Sequence, residues 1–459
     1  MATRKYTKET TVGGQPVRRR AFLKGICGAV ALSPALRKGS RAAESERGLW
    51  VGVAVEEITP PLEVGLLMSS SAGRWEAFES VRLPLQARAL VLSDGKRRFA
   101  LVGLDLIGLA GQAVGGIDAF KAEVAHHAGG RFRPSDMVLA SSHTHTGPES
   151  IALTDLRHTK AFAEWTNELV VRIGSAIRRA AESAAPCRLV LGQVQAAGMA
   201  VNRRIVTRRG IASVRRKLPA DEVIGPEGPV DDRLRVAALV GRNGRPLAMV
   251  VHFAAHPVLE MCLKHVSPDY PGEMLLELER RHPGCTPLFL QGACGNINPP
   301  TMERTVANCR RYGQRLAELA DEAFKRARPA AVRPLLWGWR KIQLPWRDLD
   351  GKPQPSPLET SIGALRLGDA AWGFLPGEPF VEIGLDIVGA SPWPFTAVVG
   401  YADDYIGYLP TDRAFDNGGY EIGPGRWSRV DRGSQRIVTD GAIQLLHSLR
   451  KTRPETRPD

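Results

Sequence analysis

The sequence predicts an α/β fold, mixed β-sheets covered by helices, and two observations carry that expectation. Short apolar runs alternate along the chain with longer segments whose apolar residues recur every three or four positions. The chain has 459 residues, 43% hydrophobic and 24% charged, the composition of a globular protein with a substantial core. In chain order, strands are expected at 49–58, 87–92, 99–106 and 137–141, with helices at 117–127 and 161–183. Strands follow at 188–194, 234–240, 247–252 and 288–290, then a helix at 303–325. The last elements are strands at 364–367, 371–375 and 396–400 and a helix at 437–449. The helices at 303–325 and 437–449 intersperse charges among their apolar positions, as a helix lying on a sheet should. The Pro-rich stretch 350–357 is the best candidate for an internal boundary, but strands resume beyond it and chemically capable residues lie on both sides. One catalytic domain over residues 44–449 is therefore expected, followed by a disordered Arg/Pro-rich tail at 450–459.

The N-terminus reads as an address. Arg18-Arg19-Arg20-Ala21-Phe22-Leu23-Lys24 precedes a short apolar segment, and Ser33-Pro34-Ala35 offers a small-x-small cleavage site. That is the layout of a twin-arginine signal with Arg19 and Arg20 as the pair, so residues 1–43 are expected to be signal and linker, read by the twin-arginine translocon. The protein is then expected in the periplasm or outside the cell. The apolar segment is too short to span a bilayer, and no transmembrane segment is expected. The formal charge of +14 is inflated by this region: residues 1–35 hold seven Lys/Arg and one Glu, leaving 55 basic against 47 acidic side chains. Nucleic-acid binding has little support at that balance. A local basic run, Arg203, Arg204, Arg208, Arg209, Arg215, Arg216 and Lys217, reads mostly as solvated surface. The five cysteines beyond the signal, at 187, 262, 285, 294 and 309, match no zinc-finger or disulfide framework and read as free thiols.

Five segments place chemistry at the ends of apolar runs. Ser142-His143-Thr144-His145-Thr146-Gly147-Pro148 follows a strand, where a turn can aim two imidazoles at one cleft, one to bind a metal and one to move a proton. His256-Pro257 ends another strand. Gln291 to Pro299 combines glycines and amides suited to binding an oxyanion. Leu375-Pro376-Gly377-Glu378-Pro379 sets a carboxylate in a tight turn, and Gly400 to Tyr408 holds three tyrosines and two acids. Each has a plain structural role open to it, as a hydrogen-bonded histidine, a helix cap or packed tyrosines. Together they supply nitrogen and oxygen ligands suited to Zn²⁺, on loops at strand ends where α/β proteins place their sites.

These segments, in this order and beginning at Val51-Gly52-Val53-Ala54-Val55, resemble the N-terminal catalytic domain of the neutral/alkaline (non-lysosomal) ceramidases, zinc amidases that cleave the N-acyl bond of ceramide. The resemblance implies that His143 and His256 bind zinc together with Glu378 and Tyr408, and that His145 is catalytic. It also implies an active-site arginine at Arg203, in Asn202-Arg203-Arg204, and a transition-state contact at Tyr420. Three departures stand out. Asp403 replaces the asparagine usual in the Gly400–Tyr408 element, and Asn298 occupies the position of the serine generally assigned as the nucleophile. The sequence also ends about forty residues after Tyr420, too soon for the family's C-terminal immunoglobulin-like domain.

Asparagine has no hydroxyl with which to form an acyl-enzyme, so the expected nucleophile is water activated by Zn²⁺. His145 would take or return the proton, while Arg203, Tyr420 and Asn298 would hold the carbonyl oxygen as it becomes negative. The expected reaction is hydrolysis of an amide or ester of a small-molecule or lipid-like N-acyl substrate. Two alternatives remain open from sequence: a zinc-containing binding protein without catalysis, and a metal-dependent lyase acting on a sugar polymer.

Overall fold

The apolar runs pair into two sheets stacked face to face in the computed structural model, which describes residues 48–69, 73–213, 218–301 and 303–450. All of these lie in one unit that begins at Ser45. The expected export signal and all but the first residue of the expected tail lie outside the described residues.

The larger sheet contains β1 (Leu49–Glu57), β2 (Gln86–Ser93), β3 (Arg98–Leu104), β4 (Met137–Ser141), β5 (Ala185–Gln195), β6 (Arg233–Gly241), β7 (Pro246–Phe253) and β8 (Thr286–Gln291). Their spatial order is β8-β7-β6-β5-β1-β2-β3-β4, with a short ninth strand, Arg328–Ala330, beside β5. Only the outermost pairs, β7 with β8 and β3 with β4, run parallel. The smaller sheet has the order β9 (Leu335–Leu344), β10 (Leu358–Leu367), β11 (Ala370–Phe374) and β12 (Phe395–Val399).

Alternation along each strand explains the stacking. In β11, Ala370, Trp372 and Phe374 face the larger sheet, where they meet Leu90, Phe99, Leu101 and Val250. Ala371 and, in β12, Val398 face the other way. That outer face is covered by α5 (Val381–Ala390) and α6 (Ser434–Ser448), through Ile383, Ile387, Val438, Ala442 and Leu446. The outer face of the larger sheet carries α1 (Ile117–His127) and α2 (Lys160–Glu182) over β1 to β4, and α3 (Asp269–Arg281) and α4 (Val306–Lys325) over β5 to β8. The result is four layers, helix, sheet, sheet, helix, the α/β architecture expected.

Several details differ from expectation. The helix expected from 303 starts at Val306, because the Thr305 hydroxyl accepts the Asn308 N–H and fixes the N-terminus there. Helix α3 was not expected, since Pro271 and Gly272 sit in its first turns, where proline is tolerated. Helix α5 carries Gly384 and Gly389, and Gly384 is packed so closely on Ala293 that a Cβ would lie 2.8 Å from its methyl carbon. The stretch 350–357 is no boundary but the connection of the β9–β10 hairpin. All five thiols are free, with Cys285, Cys294 and Cys309 buried. Among the described residues, no helix is long and apolar enough to cross a membrane.

Close helix–sheet approach depends on two strand glycines. A Cβ on Gly52 of β1 would lie 1.7 Å from the Ala180 carbonyl oxygen of α2, and one on Gly192 of β5 would lie 2.0 Å from that of Ala323 in α4. Gly52→Val should therefore force α2 off the sheet and lower stability by about 2 kcal/mol or more, measured by urea denaturation. Unchanged stability would show that the helix can shift freely.

Candidate metal centre

Five loops deliver the site, each leaving a strand end. Beyond β4 the Ser142 and His143 N–H groups donate to Leu104 and Leu106 (both 2.8 Å), and His143 adopts a left-handed backbone, φ 69°. This strained turn after the strand brings the Nε2 atoms of His143 and His145 to 3.2 Å. His256 leaves β7 with its N–H on the Ile297 carbonyl (3.0 Å). Glu378 follows Gly377, whose φ of 73° disfavours a side chain and where an added Cβ would lie 2.3 Å from the Gly407 carbonyl oxygen. Glu378 itself pairs with Tyr408 in a short parallel bridge. At the end of β8 the Gln291 side-chain amide donates to the carbonyls of Ser142 (3.1 Å) and Ala255 (3.0 Å), tying three of the loops together.

The imidazoles are oriented from behind. His143 Nδ1 lies 2.6 Å from the Ile107 carbonyl and His256 Nδ1 2.7 Å from that of Cys294. A carbonyl only accepts, so both Nδ1 atoms carry the proton and both Nε2 atoms present lone pairs. Those lone pairs are 3.2 Å apart, and Glu378 Oε2 lies 3.4 Å from one and 3.1 Å from the other. His145 can bring one proton to this focus, and the other donors that reach it are long, Arg203 Nη1 at 3.4 Å from His256 Nε2 and the Tyr401 hydroxyl at 3.3 Å from Glu378 Oε2, so a cation would satisfy the three acceptors better. A tetrahedral Zn²⁺ with bonds of about 2.0–2.1 Å holds its ligand atoms about 3.3 Å apart, so His143, His256 and Glu378 fit it. The three imidazoles also form a buried cluster with ligand atoms within 4.8 Å of one another. Burial, then Arg203, pushes the His256 imidazole down to about 4, keeping it neutral.

Arg203 closes one side. Its Nε donates to Glu421 (2.8 Å) and its Nη2 to the Tyr408 hydroxyl (2.9 Å), while Nη1 lies 3.4 Å from both His256 Nε2 and Asn298 Oδ1. Tyr408 is thus joined to the centre through Arg203. Tyr420 stacks on Trp427 (5.6 Å between centroids) and meets Tyr408 edge-on. Every residue singled out from sequence, His143, His145, Arg203, His256, Asn298, Glu378, Tyr408 and Tyr420, belongs to this one neighbourhood. In the basic run, Arg204 is not surface: it is buried between Glu227 and Glu421. Arg208 and Arg209 are exposed, and Arg215, Arg216 and Lys217 lie outside the described residues.

Sequence reasoning missed the support around Glu378. The Tyr405 hydroxyl donates to its Oε1 (2.6 Å), and Tyr401 reaches Oε2 (3.3 Å) while stacking on His143 at 4.1 Å. Both tyrosines stood in a recognised motif, but nothing in their spacing separates a supporting tyrosine from a ligand. Glu421, which spans Arg203 and Arg204, was visible only as the residue after Tyr420.

The sequence model of the neutral/alkaline non-lysosomal ceramidase N-terminal domain matches residues 50–310. Among solved structures, the neutral ceramidase from Pseudomonas aeruginosa is similar at 20% identity and a TM-score of 0.71, over 90% of this chain and 77% of that one. A ceramidase complexed with C2 matches at 18% identity and a TM-score of 0.73, over the same shares of the two chains. No curated protein sequence matches the chain.

Asp403, at the position where that group has asparagine, has a visible reason. Its Oδ2 receives Lys121 Nζ at 2.5 Å and its Oδ1 the Leu139 N–H at 2.8 Å, tying the Gly400–Tyr408 loop to α1 and β4. Both partners are buried. Asp403→Asn should leave the Lys121 ammonium buried and uncompensated and cost about 3–5 kcal/mol. Lys121→Met with Asp403→Asn should recover most of that loss in thermal and urea unfolding; equal loss in the double variant would mean that the pair is not the cause.

Proposed function

The chain belongs to the neutral/alkaline non-lysosomal ceramidase family, and on that premise we propose that it is an exported zinc-dependent hydrolase that cleaves an N-acyl amide or ester with water as the nucleophile. The observation carrying this reading is the focus of two imidazole lone pairs and a carboxylate, 3.1–3.4 Å apart, with each imidazole proton committed to a carbonyl behind it. His143, His256 and Glu378, with Tyr408 as fourth ligand, would hold the Zn²⁺. Once bound, a zinc ion supplies Lewis acidity, polarising a carbonyl and making water a stronger acid.

The side chains supply the rest. His145, with Nε2 3.2 Å from His143 Nε2, stands at the focus and serves as base towards the attacking water and as acid towards the leaving amine or alkoxide. Arg203 is anchored on two sides by Glu421 and Tyr408 and turns Nη1 inward, to receive the carbonyl oxygen as charge builds on it. Asn298 lines the position from which a serine would attack and contributes polarity without a nucleophile. Retention of His145 and Arg203 beside the ligands weighs against a pure binding protein, since a structural zinc site needs only ligands. The buried three-imidazole cluster favours a second ligand arrangement, with His145 bound in place of Tyr408.

Metal analysis separates the two arrangements. His143→Ala, His256→Ala and Glu378→Ala should each lose most of one zinc per chain, while His145→Ala should retain it and lose about 10²–10⁴-fold in kcat. Zinc loss in His145→Ala would support the imidazole triad, and full retention in two of the first three would end the zinc reading. Asn298→Ala should cost less, about 10–10³-fold; loss as complete as that on stripping the metal would make Asn298 essential to chemistry.

The address remains a proposal carried by the paired arginines ahead of the catalytic domain at 44–449. Arg19→Lys together with Arg20→Lys should leave the protein in the cytoplasm on cell fractionation, because the translocon reads the guanidinium pair. Normal export of that double variant would reduce the N-terminus to a basic tail.

A further inference from the structure

Tyr405 lines a cleft of about 460 Å³, and its hydroxyl meets Glu378 Oε1 at 2.6 Å, so one aromatic ring joins the cleft to the proposed metal centre. Three guanidiniums, those of Arg157, Arg426 and Arg429, line the same cleft. Among the described residues, none of the three forms an ion pair with a carboxylate.

Two of them are held in place by the loop that follows the histidines. The buried Glu149 carboxylate receives the N–H groups of Ile151, Leu153 and Thr154 (all 3.0 Å) and the Thr154 hydroxyl (2.6 Å). With its N–H groups committed to Glu149, the loop offers its carbonyls to the arginines. Arg157 Nη1 donates to Ala152 and Thr154 (3.2 and 3.1 Å) and Arg426 Nη1 to Leu153 (3.3 Å). Ala152 adopts the left-handed backbone, φ 61°, that this winding demands. Arg429 lies 4.7 Å over the Trp346 ring, and its buried Nε has no hydrogen-bond partner. Two carboxylates share the cleft. Asp404 Oδ1 already receives the N–H groups of Gly111 and Tyr405 (3.0 and 2.9 Å), and Glu359 is exposed and accepts from Gln343 (2.9 Å). Within the lining the cations outnumber the acids, with Asp348 outside it also attracting Arg429, and Arg157 and Arg426 are anchored before any ligand arrives.

We propose that this cleft is an oxoanion subsite, so that the substrate carries a carboxylate or phosphate near the bond that is cleaved. The proposal rests on the hydrolase reading for its orientation relative to that bond.

The test compares kcat/KM of the full-length, zinc-loaded protein on two matched pairs: N-lauroylglycine against N-lauroylglycinamide, and N-lauroyl-phosphoethanolamine against N-lauroylethanolamine. At least one acidic member should be preferred about tenfold or more, the effect of one or two charge-assisted hydrogen bonds. Arg426→Gln with Arg429→Gln should cut that preference about tenfold, mainly through KM, and Arg426→Lys with Arg429→Lys should restore part of it. Which pair responds names the anion. Calorimetric titration with N-acetylglycine and with inorganic phosphate reads the subsite without turnover. Turnover without acidic preference, or equal loss on both members of a pair, overturns the subsite and leaves the hydrolase standing. Anion binding that the Gln variant abolishes, with neither the four amides nor their ester analogues cleaved, keeps the subsite and sinks the hydrolase. Absence of both turnover and anion binding in the wild-type protein overturns the subsite.

Discussion

Two imidazoles whose Nδ1 protons are both spent on carbonyls cannot hydrogen-bond each other through Nε2, and the rest of the site is arranged around that constraint. His143 and His256 nevertheless aim those atoms at one point, 3.2 Å apart, and Glu378 adds a carboxylate there instead of relieving them with a donor. The donors that reach these three buried acceptors, His145, Arg203 Nη1 and the Tyr401 hydroxyl, stand 3.2–3.4 Å away, and a cation at the focus would compensate them more fully. The fold accepts that arrangement because the loops have little freedom to part. Gln291 ties the β4, β7 and β8 loops, Asp403 ties the tyrosine loop to β4 and α1, and Gly377 lets the glutamate turn approach the Gly407 backbone.

The charges nearby balance in the same closed manner. Arg203 and Arg204 are both buried, and Glu421 bridges them, with Glu227 taking the outer face of Arg204. Burial opposes the charge on Arg203, and Tyr408, Glu421 and Glu378 around it more than compensate. Such a network contributes little net stability, because desolvation offsets most of the attraction. What it does is hold one guanidinium at a fixed angle beside the imidazoles, the kind of preorganised donor that stabilises developing negative charge.

Much of this was legible in the chain. Period-two and period-three-to-four patterns placed most of the larger sheet and its long helices, and the segments bearing His143, His256, Glu378 and Tyr408 stood out as polar residues at the ends of apolar runs. What the patterns could not show was depth. Arg204 read as surface because a run of arginines looks the same whether its acids are local or, like Glu421, more than two hundred positions away. Helix α3 was masked by Pro271 and Gly272, which weaken a propensity argument but cost little in a first turn. Tyr401 and Tyr405 were recognisable as a motif, but their role comes from the fold of the loop after β12, which sequence spacing does not encode.

Asn298 is where the physical argument reaches furthest. Its backbone is fixed by a two-residue bridge, Ile297 and Asn298 against Asn202 and Val201, so its side chain must leave from the same strip of chain that positions Arg203. Of the contacts made by that arginine, those to Glu421 and Tyr408 are short, at 2.8 and 2.9 Å, while those of Nη1 to Asn298 and His256 are both stretched to 3.4 Å. A hydrogen bond that long is weak and easily exchanged. The inward edge of the guanidinium is therefore the one part of it not firmly engaged, and a substrate carbonyl oxygen can displace the Asn298 contact at small cost. On the proposed hydrolase reading, with no serine nucleophile at position 298, an arginine held on two sides and loosely met on the third is what would set a site for a reacting carbonyl apart from one that only holds a metal.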